Sequence, residues 1–445
     1  MKYPRLIIIV AYALFSLTSC SNLSHQKALY EKKPAFYSYI IGDVNNNKID
    51  VENASDAYVT PASCQKTITS LLALKYLGPE YKYKTNLLVQ KNANNFGDVV
   101  IKFSGDPTLS SAKLEELLLN LKNKKIKGNI ILDASVFKTH YLSDYISMYD
   151  LGKTYSTPDS AVNIDKNLIK IIVSPDKKLE FANVRKNGEI KIENLVISND
   201  EKTNIASVYR QGKLILKGNI NLNDKNFELV VSPVDFEDYA KAKVKNILSK
   251  LGIYRPVIFL KNAAELPKNL NEYASIESDN LANIIKPTTK SSENLTFDVL
   301  YLTIIHKAKP EGVDEWSNGY FTVKDLIHKE FGVDLAGAVL VDGSGLSRYN
   351  RIQTRKLYKI LKQGYSSKAF IESLASPGEA ESTLANRKKL PDYIRAKTGH
   401  LAMNNCLCGF DLKRSKAFVV VASNYAPPVK EMNEQIDNFL HNYLK

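Results

Sequence analysis

The segment Pro61-Ala-Ser63-Cys-Gln-Lys66, followed by the apolar run from Ile68 to Leu77, decides the fold. If this run is helical, residues three apart share a face, so the Ser63 hydroxyl and the Lys66 amine lie side by side. A serine hydroxyl is a poor nucleophile until a neighbouring base takes its proton, and a lysine with a lowered pKa can be that base. A single Ser-x-x-Lys match is nevertheless weak in a lysine-rich chain. The same spacing occurs at Ser24/Lys27, Ser110/Lys113, Ser135/Lys138 and Ser174/Lys177.

Two further motifs single out the copy at Ser63. Ser292-Glu293-Asn294 lies between two predicted helices, and Lys397-Thr398-Gly399 lies near the start of a predicted C-terminal strand. In this order the three motifs resemble the signature of the serine penicillin-recognising enzymes. The long interval between the first two motifs leaves room for an inserted domain.

Additional segments narrow the resemblance to one family. Gly105-Asp-Pro-Thr-Leu109, the run Asp342-Gly-Ser-Gly-Leu-Ser-Arg348 and Ala396-Lys-Thr-Gly399 resemble the low-molecular-mass class C penicillin-binding proteins, the DacB-like D-alanyl-D-alanine carboxypeptidases and endopeptidases. The resemblance covers residues 35–440. It implies an α+β fold with an antiparallel sheet flanked by helices, split by a long insertion. We interpret the 105–109 and 342–348 segments as structural turns, because Gly and Asp suit tight turns.

The resemblance also implies the roles of the motif residues. Ser63 attacks the D-Ala-D-Ala carbonyl, and Lys66 takes its proton, since the like charge of Lys397 lowers the Lys66 pKa. Ser292 relays a proton to the leaving amine, and Asn294 holds the substrate amide and Lys66. The remaining expectations are an oxyanion hole made by the backbone N–H groups of Ser63 and His400, and a binding site for the substrate carboxylate at Lys397, Thr398 and Gly399.

The second motif has an alternative at Ser278-Asp279-Asn280, which is a literal Ser-Asp-Asn. In the family, a serine followed by leucine starts the preceding helix, and the catalytic Ser-x-Asn comes after that helix. Ser278 with Leu281 fits the earlier position. Ser292 to Asn294 fits the catalytic one and is our preferred assignment.

Two predicted substrate-contacting positions, Asp150 and His400, each have an alternative interpretation. Asp150 matches an acidic residue of the inserted domain that approaches the diaminopimelate amine of the substrate in relatives; a surface aspartate or a loop cap is the alternative. His400 stands where the family usually carries Thr or Ser. Its backbone donor is retained, while its side chain either alters carboxylate binding or points away from the site.

The pattern of elements predicts a nested arrangement. Residues 35–79 and 271–445 are assigned to the transpeptidase-like catalytic domain, 80–164 and 233–270 to an inserted α/β domain, and 165–232 to a small β domain with period-two alternation. We expect a helix from Asp235 to Leu251, a boundary at Pro287, and final strands at Ile394–Phe410 and Ala417–Ser423.

The N-terminus predicts export. Lys2 and Arg5 precede the short apolar segment Leu6–Phe15, which is typical of a signal peptide. Leu17-Thr-Ser-Cys20 resembles the bacterial lipobox, in which the cysteine is lipidated, so residues 1–20 are assigned as signal peptide and 21–34 as linker. Ser21 after the cysteine favours the outer membrane over the inner one. We therefore expect a periplasmic, membrane-anchored protein.

Composition excludes several other classes. The chain has 445 residues, a net charge of +14, and scattered lysines with no nucleic-acid-binding motif. Neither HExxH nor CxxC occurs, so no metal or cofactor is implied. Cys64, Cys406 and Cys408 are expected to be buried, unpaired thiols.

The sequence thus predicts a serine-type D-alanyl-D-alanine carboxypeptidase that also cleaves peptidoglycan cross-links as a D,D-endopeptidase. Its partners are peptidoglycan stem peptides and β-lactams, which acylate Ser63. Two alternatives stay open: a β-lactamase or esterase on the same scaffold, and a non-catalytic peptidoglycan-binding scaffold protein. The insertion and the 342–348 run disfavour the first, and the complete motif set disfavours the second.

Overall fold

The computed structural model describes residues 35–444 except for 93–94, 139–140, 182–191, 234, 313 and 427. In chain order the described strands are β1 (Phe36–Asp43), β2 (Ile49–Asn53), β3 (Tyr58–Val59), β4 (Lys84–Asn92), β5 (Asn95–Lys102), β6 (Ile130–Asp133), β7 (Ile169–Val173), β8 (Leu179–Phe181), β9 (Ile192–Asn199), β10 (Asn204–Arg210), β11 (Lys213–Asn221), β12 (Phe227–Val231), β13 (Val257–Leu260), β14 (Leu270–Glu277), β15 (Ile352–Gln353), β16 (Ile394–Leu401), β17 (Asn404–Asp411) and β18 (Lys416–Ser423).

The described α-helices are α1 (Gln65–Tyr76), α2 (Ser111–Leu118), α3 (Phe236–Lys250), α4 (Leu281–Ser291), α5 (Asn294–Ala308), α6 (Gly319–Phe331), α7 (Thr354–Gln363), α8 (Lys368–Ser373) and α9 (Val429–Tyr443). Short 3₁₀ turns lie at Ala62–Cys64, Leu119–Leu121, Met148–Asp150, Asp165–Asn167 and Ala263–Glu265. Within the described ranges, no helix has the length and apolar character needed to cross a membrane.

The sheet that carries the Lys-Thr-Gly motif has five antiparallel strands in the order β16-β17-β18-β1-β2. All eight residues of β17 are buried, because helices cover both faces of the sheet. One face packs on α9 through residues such as Leu407 and Ile436, and the other packs on α1 and α7 through residues such as Val419 and Ile68. The predicted α+β class, with an antiparallel sheet flanked by helices, is confirmed.

The insertion begins after α1 and forms separate sheets. Its larger sheet has the order β13-β6-β5-β4-β14, with parallel pairing of β6 to both β5 and β13. Two three-stranded sheets, β12-β7-β8 and β10-β11-β9, follow within the predicted small β region. Because β14 pairs with β4, we propose that the catalytic domain resumes after Glu277 rather than at 271.

Two expectations about single elements were wrong. The expected strand Ile394–Phe410 is a hairpin of β16 and β17, which turns at Ala402-Met403, where Met403 has φ +60°. An apolar turn of this kind carries none of the usual Gly, Asn or Asp signals. Pro287 is not a boundary, since α4 continues through it to Ser291, and the next residue, Ser292, adopts the left-handed conformation. The proline removes one backbone donor, and packing of the buried face of α4 overrides this loss.

Candidate active site

The predicted nucleophile, Ser63, lies in the 3₁₀ turn Ala62–Cys64 that leads into α1. Two glycines allow other segments to approach this turn closely. A Cβ atom at Gly345, where φ is +81°, would overlap the carbonyl oxygen of Ala62. A Cβ atom at Gly399 would lie 3.1 Å from the Ser63 backbone nitrogen, closer than most real contacts. The Lys-Thr-Gly strand therefore needs its glycine to pass beside the nucleophile.

Lys66 is fully buried and reaches Ser63 directly. Its Nζ atom lies 3.0 Å from Ser63 Oγ and 2.7 Å from both Asn294 Oδ1 and the Ser344 carbonyl oxygen. Burial and, as the second cause, the nearby Lys397 cation together lower the pKa of Lys66 to about 7. Near neutral pH, a large fraction of Lys66 is therefore neutral and able to accept a proton.

Ser292 lies in the two-residue connection between α4 and α5, and Asn294 is the first residue of α5. The Asn294 side chain donates from Nδ2 to the Tyr155 carbonyl oxygen at 2.7 Å, which orients Oδ1 toward Lys66. The buried Lys397 donates to Ser292 Oγ at 2.8 Å and to the Thr398 carbonyl oxygen at 2.7 Å. Burial lowers the pKa of Lys397 to about 8. Each of the two lysines thus contacts one hydroxyl of the site.

The alternative second motif lies at the start of α4, where its side chains form hydrogen bonds with backbone nitrogens. Asn280 caps that helix by accepting from the Asn283 nitrogen at 3.0 Å, and Ser278 Oγ accepts from the Tyr83 nitrogen at 2.9 Å. The structure therefore brings Ser292-Glu293-Asn294, rather than Ser278-Asp279-Asn280, together with Ser63.

A cavity of about 380 Å³ opens over Ser63. Its lining includes the hydroxyls of Ser63 and Ser292, the Asn294 amide and the exposed side chain of His400. Further lining residues are Asp150, Tyr155, Gly345, Leu346, Arg348, Leu401 and Ala402.

Asp150 belongs to this cavity but already has protein partners. Its Oδ2 accepts from Arg348 at 2.8 Å, and its Oδ1 accepts from the Tyr155 hydroxyl at 3.1 Å. The alternative of an exposed surface aspartate is wrong, because its carboxylate is largely buried at the cavity wall.

The edge strand β16 offers backbone groups to a ligand. Ala396 donates to the Ala375 carbonyl oxygen at 2.9 Å, on the side away from β17. Since successive residues of a strand alternate, the N–H groups of Thr398 and His400 point to the same free edge. A peptide can therefore pair with β16 as an additional strand, with the His400 N–H beside Ser63.

Several residues that contribute to this geometry were missed at the sequence level. Asp298 accepts from the nitrogens of Gly343 at 3.0 Å and Ser344 at 2.8 Å, and so fixes the Ser344 carbonyl that binds Lys66. Burial raises the pKa of Asp298, and the nearby Asp342 raises it further. A lone carboxylate within the apolar run Leu295–Ile305 was the available signal.

The three cysteines that follow the expected N-terminal one are free and buried. Cys64 donates from Sγ to the Lys397 carbonyl oxygen at 3.3 Å, which ties the nucleophile turn to β16. Cys406 and Cys408 lie on one face of β17, as predicted. Cys20 and the predicted signal peptide lie outside the described residues.

The arrangement suits acyl transfer. A neutral lysine amine has two N–H groups and one lone pair. The Ser344 carbonyl and Asn294 Oδ1 accept the two N–H groups, which leaves the lone pair for the Ser63 hydroxyl. This is the geometry in which an adjacent base can activate a serine hydroxyl as a nucleophile.

Comparison with known proteins assigns the family. The D-Ala-D-Ala carboxypeptidase 3 (S13) family matches residues 22–443, nearly the whole chain. The chain belongs to this family. Its membership confirms the resemblance to the class C penicillin-binding proteins and the prediction of a serine carboxypeptidase.

Individual S13 relatives extend over most of the chain. D-alanyl-D-alanine carboxypeptidase DacB of Haemophilus influenzae is 25% identical over 421 residues, which cover 89% of this chain and 86% of the relative. The crystal structure of penicillin-binding protein 4 (dacB) from that organism has a TM-score of 0.80 and 25% identity, with 94% of this chain and 97% of the other covered. A second structure of that protein, in complex with a β-lactam, has a TM-score of 0.76 and 24% identity, with 95% and 98% covered.

Proposed function

We propose that this S13 enzyme cleaves the terminal D-Ala-D-Ala bond of peptidoglycan stem peptides through a Ser63 acyl-enzyme, and also cleaves D,D-cross-links between them. The observation that carries the proposal is the contact of the buried, pKa-lowered Lys66 with Ser63 Oγ. The open edge of β16 supports binding of an extended peptide beside this pair.

The reaction begins when Ser63 Oγ attacks the carbonyl carbon and its proton passes to Lys66 Nζ. The oxyanion accepts hydrogen bonds from the backbone N–H groups of Ser63 and His400; loss of such a donor typically costs about 10²–10³ in rate. The C–N bond then breaks as the leaving amine takes a proton from Ser292, which Lys397 resupplies. Water attacks the ester carbonyl and gives one proton through Ser292 to Lys397. The bond from Ser63 Oγ to the acyl carbon then breaks, and Lys66 returns its proton to Ser63 Oγ.

We assign the charged groups of the substrate to residues of opposite charge in the site. Lys397 lies beneath Ser292, and together with Thr398 it attracts the terminal carboxylate of the peptide. Asp150 keeps carboxylate lone pairs beyond those used by Arg348 and Tyr155, so it can accept the side-chain amine of a diaminopimelate residue. A β-lactam acylates the same serine, as the β-lactam complex of the Haemophilus protein suggests.

The cellular setting follows from the N-terminal sequence alone. A signal peptide over residues 1–20, lipidation at Cys20 and a linker over 21–34 would tether the enzyme in the periplasm, at the outer membrane rather than the inner one. Metabolic labelling with a lipid precursor should mark the wild-type protein and leave Cys20→Ala unlabelled.

The activity is tested on purified muropeptides. Wild type should release D-Ala from pentapeptides and convert cross-linked dimers to monomers, and Ser63→Ala should do neither. Rapid turnover of a penicillin without D-Ala release would indicate a β-lactamase instead. A protein that binds peptidoglycan but performs none of these reactions would be a scaffold.

A further inference from the structure

A second groove adjoins the Ser63 cavity. It has a volume of about 310 Å³ and shares Arg348, Leu401 and Ala402 with the cavity wall. Its other side is built by β3, by the residue Thr60 just before the nucleophile turn, and by the β16–β17 turn. The remaining lining residues are Phe36, Tyr58, Val59, Arg351, Met403, Asn404, Ser423 and Asn424. A ligand that extends past Leu401 enters this groove directly.

The groove is cationic. Two arginines line it, and no Asp or Glu does. Arg348 is paired with Asp150, whereas the exposed Arg351 side chain makes no hydrogen bond or ion pair with the part of the chain that the structure describes. The Arg351 backbone forms two hydrogen bonds with Val339: its N–H donates to the Val339 carbonyl oxygen at 2.7 Å, and its carbonyl oxygen accepts from the Val339 N–H at 2.8 Å. An unpaired guanidinium thus projects from a fixed backbone position.

The rest of the groove is fixed and partly apolar. Asn404 donates to the Thr60 carbonyl oxygen at 2.8 Å and accepts from Ser423 Oγ at 2.6 Å, so both ends of its amide are held by the fold. Tyr58 and Met403 expose 42% and 54% of their surface there. The groove therefore offers one free cation beside apolar surface, which fits a carboxylate on a peptide with small apolar side chains.

We propose that this groove is a subsite that binds a carboxylate of the peptidoglycan peptide, through Arg351, beyond the segment held at Ser63. The inference rests on the proposed function and deepens it by making the enzyme selective for long, carboxylate-bearing peptides. Guanidinium groups suit carboxylates because they bind them through two parallel hydrogen bonds. The continuity of the two cavities past Leu401 and Ala402 favours the substrate itself over an unrelated anion.

The test compares two substrates in three proteins. One substrate is a short acyl-D-Ala-D-Ala peptide with only its terminal carboxylate, and the other is a complete muropeptide. Arg351→Gln should raise KM for the muropeptide about tenfold, the size expected when a charge-assisted hydrogen bond is lost, and leave the short peptide unchanged. Arg210→Gln, which removes an exposed arginine from β10, is the matched control and should change neither.

A chemical arm identifies the bound group. A muropeptide whose carboxylates are amidated, apart from the terminal one, should bind wild type and Arg351→Gln equally. With the native muropeptide, Arg351→Lys should show a KM between those of wild type and Arg351→Gln. An unchanged KM for the native muropeptide in Arg351→Gln overturns the subsite, as does an equal loss with the amidated muropeptide. Because the short peptide reports Ser63 chemistry separately, failure of the proposed function would appear as inactivity of wild type on both substrates.

Discussion

The buried amine of Lys66 lies 3.0 Å from Ser63 Oγ. Its two other oxygen neighbours, Asn294 Oδ1 and the Ser344 carbonyl oxygen, are fixed by the fold. Asp298 accepts from the backbone nitrogen of Ser344 and so positions that residue, and the Asn294 amide donates to the Tyr155 carbonyl oxygen. The base is thus preorganised before substrate arrives, and its protonation state governs acylation.

The pH dependence of kcat/KM should be bell-shaped. Lys66 must be neutral to take the Ser63 proton, so activity should rise as pH increases through its pKa of about 7. Lys397 must be charged to attract the carboxylate, so activity should fall as pH increases through about 8. Peptide hydrolysis measured from pH 5 to 10 checks both limbs. A profile that is flat from pH 6 to 9 would contradict this assignment.

Removal of the Asp298 charge should move the ascending limb to lower pH. The Asp298 carboxylate raises the pKa of Lys66, and Asp298→Asn keeps an acceptor for the two backbone N–H groups while it removes the charge. Asp325→Asn, at an exposed position of α6, is the control and should leave the profile in place. An unshifted or alkaline-shifted limb in Asp298→Asn would rule out this coupling.

Substitutions in the two candidate second motifs should have different effects on activity and stability. Asn294→Ala removes an acceptor that orients the general base, so we expect a loss of about 100-fold in kcat/KM with little loss of stability. Asn280→Ala removes a helix cap, so we expect a loss of about 1 kcal/mol in the free energy of unfolding with activity retained. Activity assays and denaturant titrations on both variants check this, and the reverse pattern would place the motif at 278–280.

A buried ion pair joins α9 to the segment before β16. Arg387 donates from Nε to Asp437 Oδ1 at 2.8 Å, and both side chains are almost completely buried. Arg387→Ala leaves the carboxylate uncompensated, so the free energy of unfolding should fall by about 3–5 kcal/mol. Lys178→Ala, at the exposed Lys178–Asp176 pair, should be nearly neutral. Equal effects of the two substitutions in urea titrations would mean that burial does not decide this energy.

The motif residues could be found from local spacing, and the fold class followed from the family resemblance that those motifs carry. Ser63 and Lys66 share one turn, the apolar period of α1 is regular, and Asp235 precedes α3 as expected. Contacts between residues that are far apart in the sequence could not be predicted in this way. The pairing of Arg348 with Asp150 spans 198 residues, and nothing local indicates it.

The misassigned hairpin illustrates the same limit. The turn at Ala402-Met403 has no polar or glycine signal, and only pairing of β16 with β17 makes it visible. The local chemistry of Pro287 predicts a boundary, whereas the buried residues Ile284, Ile285 and Thr288 of α4 keep the helix intact around it. Tertiary packing overrode local preference at both places.

The most direct test of the central claim is to map the residue that a penicillin acylates. Wild-type protein incubated with a fluorescent penicillin and then digested should carry the acyl group on the peptide that contains Ser63, and Ser63→Ala should stay unlabelled. Arg210→Gln should label like wild type. An adduct on another residue, or labelling that persists in Ser63→Ala, would contradict the account of Ser63 as the nucleophile.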